Sequence, residues 1–203
     1  MNHLRTLLYL LPTVLMLSAC SQENGTDEPA NVIIFIADGA GLAQWTLAHF
    51  ANENLAVRQM TVTGLVDTRG SNHEVSGSAP TATALATGVR SVMGAIGVGP
   101  DSLPRESVLE VAHRQGWGTG LITTTTITDA TPASFATHVP SRTQRLEIFK
   151  QMINLPVHVL LGGGSRMIQI IEAQDSLGLE STLRDRYNYV ETLTGLKLHS
   201  QDS

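Results

Sequence analysis

Five side chains carry oxygen or nitrogen groups suited to a hard cation and an anion: Asp38, Ser78, Asp129, Thr131 and Arg142. Asp38 ends an apolar run, one residue before Gly39, where a carboxylate could serve a cation or cap the helix that follows. Ser78 stands between a Gly-bearing loop and an Ala-rich segment, so its hydroxyl faces a helix N-terminus. Free N–H groups and the helix dipole favour an anion there, although serine is also among the commonest N-caps. Asp129 and Thr131, two apart, can present a carboxylate and a hydroxyl to one Mg2+, which takes oxygen ligands. The other reading of Asp129 is an Asx-turn leading into Pro132. Arg142 offers a fork suited to bidentate capture of phosphate, or else is a solvated side chain in a first helical turn, where its charge is not favoured.

These residues need a scaffold that brings them to one edge. Asn31–Ala37 (NVIIFIA) is an unbroken apolar run, the pattern of a strand buried on both faces in a parallel sheet. Residues 42–53 can form a helix, 61–67 a second strand, and 68–77 a polar loop. Ala79–Thr87 suits a helix closed by Gly88. Ser107 can cap a helix ending at Gly116, 120–125 is a strand, and Ser141 can cap a helix through Leu146, Phe149 and Ile153. Val157–Leu161 is a further strand, closed by Gly162, Gly163 and Gly164. Alternating strands and helices predict an α/β fold with a mainly parallel sheet. Right-handed crossovers collect strand ends on one edge, where ligands bind. After Gly164 the pattern weakens and becomes more charged.

Composition narrows the class. The chain has 203 residues, 42% hydrophobic and 15% charged, with seven His and one Cys, a balance suited to a single core-forming domain. One Cys excludes a disulfide framework and a CxxC…CxxC zinc site. A net charge of −5 argues against a nucleic-acid partner. Apart from the N-terminus, no apolar run reaches the roughly 18 residues that suggest a spanning helix.

Residues 1–19 read as an export signal, with His3 and Arg5 before an apolar stretch from Leu7 to Leu17. Leu17-Ser18-Ala19-Cys20 resembles a bacterial lipobox, which implies cleavage before Cys20, lipid on Cys20 and membrane attachment through it. Ser21 after the Cys implies sorting to the outer membrane, facing the periplasm. Cleavage removes Arg5 and moves the net charge from −5 to −6. Residues 20–30 read as a flexible tether ahead of the folded portion, 31–203.

Several blocks in order carry a resemblance: Asn31–Gly41 (NVIIFIADGAG), Ser76–Val89 (SGSAPTATALATGV), Gly94–Val98 (GAIGV), Gly120–Arg142 (GLITTTTITDATPASFATHVPSR) and Leu160–Gly164 (LLGGG). Together they look like the alkaline phosphatase family over about 31–164. The resemblance implies a three-layer sandwich around a mainly parallel sheet, and hydrolysis of small phosphate monoesters through a phosphoserine. It also implies two Zn2+ ions, one Mg2+ and a possible homodimer. By the same resemblance Ser78 is the nucleophile and Asp38 bridges Mg2+ and one Zn2+. Asp129 belongs to the magnesium region, Thr131 is a magnesium ligand, and Arg142 binds two phosphate oxygens.

Two departures qualify it. The family usually carries Asp before the nucleophile, orienting the arginine; Gly77 stands here, which implies a less constrained Arg142. The later zinc ligands, in D-x-x-x-H and D-H spacing, are not found after Gly164. Glu172, Asp175, Glu180, Asp185, Glu191, His199 and Asp202 make no such pattern, and His49, His73, His113, His138 and His158 match no ligand role. The expectation is therefore an N-terminal portion, weakly active or inactive alone. Two other readings remain. Ser78-Ala79-Pro80-Thr81-Ala82 approaches the sulfatase pattern of Cys or Ser, x, Pro, x, Arg, which points to a sulfatase or phosphodiesterase. A non-catalytic phosphate-binding remnant is the third.

Overall fold

The computed structural model describes residues 31–155, 157–175 and 178–199. The expected signal at 1–19, Cys20 and the expected tether at 20–30 lie outside the described residues. The chain divides into two units, residues 1–37 and 38–203.

Of the first unit, 31–37 is described. It forms neither helix nor strand, and Val32, Ile33, Ile34 and Phe35 are exposed. The expected buried strand is therefore not present. An apolar run becomes a strand by sharing ladder hydrogen bonds and being covered on its faces, and neither is described for these residues.

The second unit begins with helix α1 (Leu42–Ala51), where the sequence predicts one, and a short 3-10 helix at Ala56–Gln59. The strand expected at 61–67 is also absent: Val62, Leu65 and Val66 are exposed and unladdered. Helix α2 spans Ser78–Thr87, with Gly88 in the left-handed conformation closing it at φ 74°. Helix α3 spans Val108–Arg114 behind a complete capping box. The Ser107 hydroxyl accepts from the Glu110 N–H, and the Glu110 carboxylate accepts from the Ser107 N–H.

Strand β1 (Gly120–Thr126) pairs in parallel with β2 (Val159–Gly163), matching Gly120 to Val159 and Ile122 to Leu161. The glycine run at 162–164 has a packing reason: a Cβ on Gly162 would lie 2.8 Å from Thr123 Cγ2. Between the strands come α4 (Ala130–Ala133) and α5 (Arg145–Asn154). The latter has Gln144, not Ser141, as its N-cap; the Ser141 hydroxyl instead pairs with that of Thr143. Beyond β2, where the sequence is least legible, lie α6 (Ser165–Asp175), α7 (Leu179–Arg186) and α8 (Leu193–His199).

The α/β class with a parallel sheet is thus present. Its main core gathers Ala79 and Ala86 of α2, Ile96, Leu109, Leu121, Ala130, Ala133, Val139, Ile148 and Met152. A second cluster seats Phe149 and Ile153 of α5 against Ile168, Leu179 and Leu183. Small residues dominate where α2 meets α4, which lets two backbones approach closely and brings two helix N-termini into one neighbourhood.

Candidate active site

The N-terminus of α2 carries Ser78. Gly77, in extended backbone, is the N-cap, and Ser78 is the first helical residue. Its hydroxyl is therefore not consumed in capping and donates to Asp38 Oδ1 at 3.0 Å. The Thr131 hydroxyl, from the first turn of α4, donates to Asp38 Oδ2 at 2.8 Å. One carboxylate thus collects two hydroxyls from residues 40 and 93 positions away. Pro80 has no N–H, so the orphan donors that a helix start presents come from Ser78 and Ala79.

Asp129 and Arg142 form a second group. Asp129 caps α4, its Oδ1 accepting from the Ala130 N–H at 2.8 Å. Its Oδ2 accepts from the Thr125 hydroxyl at 3.1 Å, and the Arg142 guanidinium pairs with Oδ1. Partial burial alone would raise the Asp129 pKa. The Ala130 N–H, the Thr125 hydroxyl and the Arg142 charge outweigh it and hold the carboxyl below its ordinary value. The absence of a carboxylate at Gly77 therefore does not leave Arg142 unpaired, because Asp129 takes its place.

The two groups are held in one frame. Thr83 on α2 bonds the Gly97 N–H (3.0 Å) and the Ser134 hydroxyl (3.3 Å) just after α4. The Arg142 N–H donates to the Gly94 carbonyl at 2.8 Å, and Ile96 and Val139 exchange backbone hydrogen bonds. Residues 94–98 thereby tie the Ser78 helix to the Arg142 segment. Thr125 and Thr83 are not singled out by the sequence; their roles come from contacts made across the fold.

Asp38 and Thr131 offer converging oxygens, the donor type that Mg2+ prefers. Asp129 is engaged with Arg142 and Thr125 instead. Among the described residues, no three His, Cys, Asp or Glu side chains gather to hold a metal ion, so the donors for a zinc pair are not found there.

A serine at a helix start, set against a carboxylate with a paired arginine nearby, defines a hydroxyl-and-anion centre on an α/β scaffold. The comparisons with known proteins say which. The family model for alkaline phosphatase matches residues 29–193, and the chain belongs to the alkaline phosphatase family. It is 37% identical over 173 residues to the repressible alkaline phosphatase of Saccharomyces cerevisiae, covering 78% of this chain and 30% of that protein. To alkaline phosphatase 3 of Bacillus subtilis it is 33% identical, over 86% of this chain and 40% of that one. The alkaline phosphatase of the Antarctic bacterium TAB5 superposes with a TM-score of 0.69 at 31% identity, over 76% of this chain and 46% of that one. A histidine-to-aspartate variant of the TAB5 enzyme carries Mg in its M3 site. The chain thus spans less than half the length of these relatives.

Proposed function

We propose that the chain carries the nucleophile and phosphate-binding portion of an alkaline phosphatase that hydrolyses small phosphate monoesters through a phosphoserine on Ser78. The observation that supports this best is the Ser78 hydroxyl on Asp38, one residue past the N-cap and free of capping duty. Asp38 accepts the hydroxyl proton's hydrogen bond and fixes the direction of Oγ, while the α2 N-terminus favours the developing negative charge. Arg142, on moving from Asp129 to phosphate, would capture two oxygens through its fork.

Mg2+ would be held by Asp38 and Thr131, with Asp129 nearby through Arg142, and would supply charge neutralisation at the phosphoryl oxygens. For the two Zn2+ ions the described residues provide no ligand set. The signal at 1–19 and lipid on Cys20 belong to the same proposal and put the enzyme at the cell envelope, on the outer membrane facing the periplasm. The sulfatase reading gains nothing: Ala82, where that pattern has Arg, is buried.

The test is inorganic phosphate binding by the 203-residue chain with Mg2+, read by calorimetry, together with turnover of p-nitrophenyl phosphate. Phosphate should bind, Arg142→Ala should abolish binding, and Ser78→Ala should keep it. Turnover should be negligible, since zinc donors are not gathered among the described residues. A wild-type chain that fails to bind phosphate sinks the proposal; robust turnover that survives Ser78→Ala removes the phosphoserine.

A further inference from the structure

His138 is a residue to which neither the family resemblance nor the site above assigns a task. Its Nδ1 lies 2.7 Å from the Gly97 carbonyl and its Nε2 lies 2.9 Å from Glu110 Oε1. A carbonyl only accepts, and so does an ionised carboxylate, so the two contacts suit a ring that donates from both nitrogens, as an imidazolium does. Glu110 is kept ionised by its place in the α3 capping box, where Oε2 accepts from the Ser107 N–H at 2.7 Å. Both side chains are only 20% exposed, so solvent does not stand in for either partner.

The ring occupies one end of a short run of fastenings. His138 bonds Gly97, Val139 exchanges backbone bonds with Ile96, and Arg142 donates its N–H to Gly94. The strip 138–142 is thus laid antiparallel on the strip 94–97. The same Gly97 donates its N–H to Thr83 of α2, the helix that begins at Ser78. A displacement of the 138–142 strip therefore moves Arg142 relative to Ser78.

We propose that His138, as an imidazolium clasped by Glu110 and the Gly97 carbonyl, is a positioning residue that sets Arg142 against the Ser78 helix. This rests on the phosphatase reading for its functional consequence, and on the clasp alone for its structural one. The Glu110 hydrogen bond and charge raise the His138 pKa above its ordinary value, against the opposing effect of burial, with the Gly97 carbonyl adding to the rise. The other charged groups around the ring are few. Arg105, whose N–H shares the Gly97 carbonyl, is paired with Asp101, and Glu147 of α5 is reached through Gln151, which brackets the His138 backbone. Loss of the ring proton removes one of the two donors, so the clasp loosens on the alkaline side.

The experiment follows the His138 ring nitrogens and the Arg142 guanidinium by nitrogen-15 NMR across pH in the full chain. Inorganic phosphate affinity is measured at pH 7 for the wild type, His138→Gln and Glu110→Gln. Both ring nitrogens should be protonated at pH 7, and the Arg142 signal should shift with the same midpoint as the ring. Glu110→Gln should lower both midpoints together, a coupling that mere packing would not produce. Phosphate should bind roughly tenfold more weakly to His138→Gln, as misplacement of a positioning group predicts. A neutral His138 at pH 7, or an Arg142 signal indifferent to the ring's midpoint, overturns the proposal, and both are read on the wild type without relying on a variant's folding. Absence of phosphate binding by the wild type would instead strike the phosphatase reading, while the NMR midpoints still decide the clasp.

Discussion

Helices α1 and α2 are both ten residues long, and they are used in opposite ways. The first, LAQWTLAHFA, carries Leu42, Trp45, Leu47 and Phe50, yet none of its residues is buried. The second, SAPTATALAT, has little but alanine and threonine and buries Ala79, Pro80, Ala82, Thr83 and Ala86. Apolar content alone does not decide burial. The small residues of α2 let α4 and the 94–98 loop come close enough for backbone and hydroxyl bonds, and that closeness is what puts Ser78, Thr131 and Arg142 in one frame. In α1 the large side chains have no such partner among the described residues.

The largest test of this contrast is a pair of phenylalanines. Phe149 on α5 is 2% exposed and Phe50 on α1 is 80% exposed. Phe149→Ala should cost about 3–5 kcal/mol, and Phe50→Ala no more than about 0.5 kcal/mol, by urea unfolding. Similar costs at the two positions would mean that α1 is covered in solution.

A pair of glycines comes next. Both Gly39 and Gly97 have positive φ, 73° and 61°. A Cβ on Gly97 would fall 2.0 Å from the Thr137 carbonyl oxygen, whereas one on Gly39 meets nothing within 4 Å. Gly39→Ala should cost about 1 kcal/mol of left-handed strain. Gly97→Ala adds a backbone clash worth about 1–3 kcal/mol more and should also detach His138, visible as loss of its ring signal at Gly97.

Ion pairs separate the two regions a third way. Asp67, exposed, receives hydrogen bonds from Arg69 and Arg90, which hold its pKa far below the usual carboxylate range. Glu110 and His138 are half-buried. Burial would raise the Glu110 pKa, but His138 and the Ser107 N–H bring it below 4.5, its ordinary value, while His138 stands above its ordinary 6.5. Stability from a depressed Glu110 is present above 4.5 and fades as pH falls through its folded value. Stability from a raised His138 is present below 6.5 and fades as pH rises through its folded value. The pair should therefore add most between 4.5 and 6.5, with Glu110→Gln flattening both flanks and costing about 1 kcal/mol after screening. Asp67→Asn should have a small effect that 0.5 M salt erases, on the order of what screening of exposed charges predicts. Equal salt sensitivity of the two pairs would erase the distinction.

What could be read from the sequence follows the same divide. Local signals are reliable: Gly88 as the end of α2, Ser107 as the cap of α3, and β1 to within a residue. The runs at 31–37 and 61–67 read as strands because apolarity reports what a segment could bury, not whether a ladder partner is at hand. Ser141 looked like a helix cap, but Thr143 engages its hydroxyl and the helix begins later. The five candidate residues stand out in the sequence as types and positions. That Asp38 collects two hydroxyls, and that Asp129 holds Arg142, depends on separations of 13 to 93 residues that no periodicity encodes.

The smallest effect, and the finest probe of the dense region, is at Gly77. A Cβ there would approach Met93 Sδ at 3.1 Å. Met93 is 46% exposed and unbranched, so it can swing aside at little cost. Gly77→Ala should therefore change stability by less than about 0.5 kcal/mol and measures the displacement of Met93 alone. Gly77→Asp adds a carboxylate beside Ser78 on top of that displacement. Since Asp129 already holds Arg142, the added carboxylate acts as a second anchor rather than a missing one. Its gain in inorganic phosphate affinity over Gly77→Ala should be about threefold, the scale of one solvent-exposed ion pair. A much larger gain would show that Asp129 releases Arg142 before phosphate arrives. No difference between the two variants would show that Asp129 needs no second carboxylate to hold the arginine, and that the glycine before Ser78 matters only for the room it leaves to Met93.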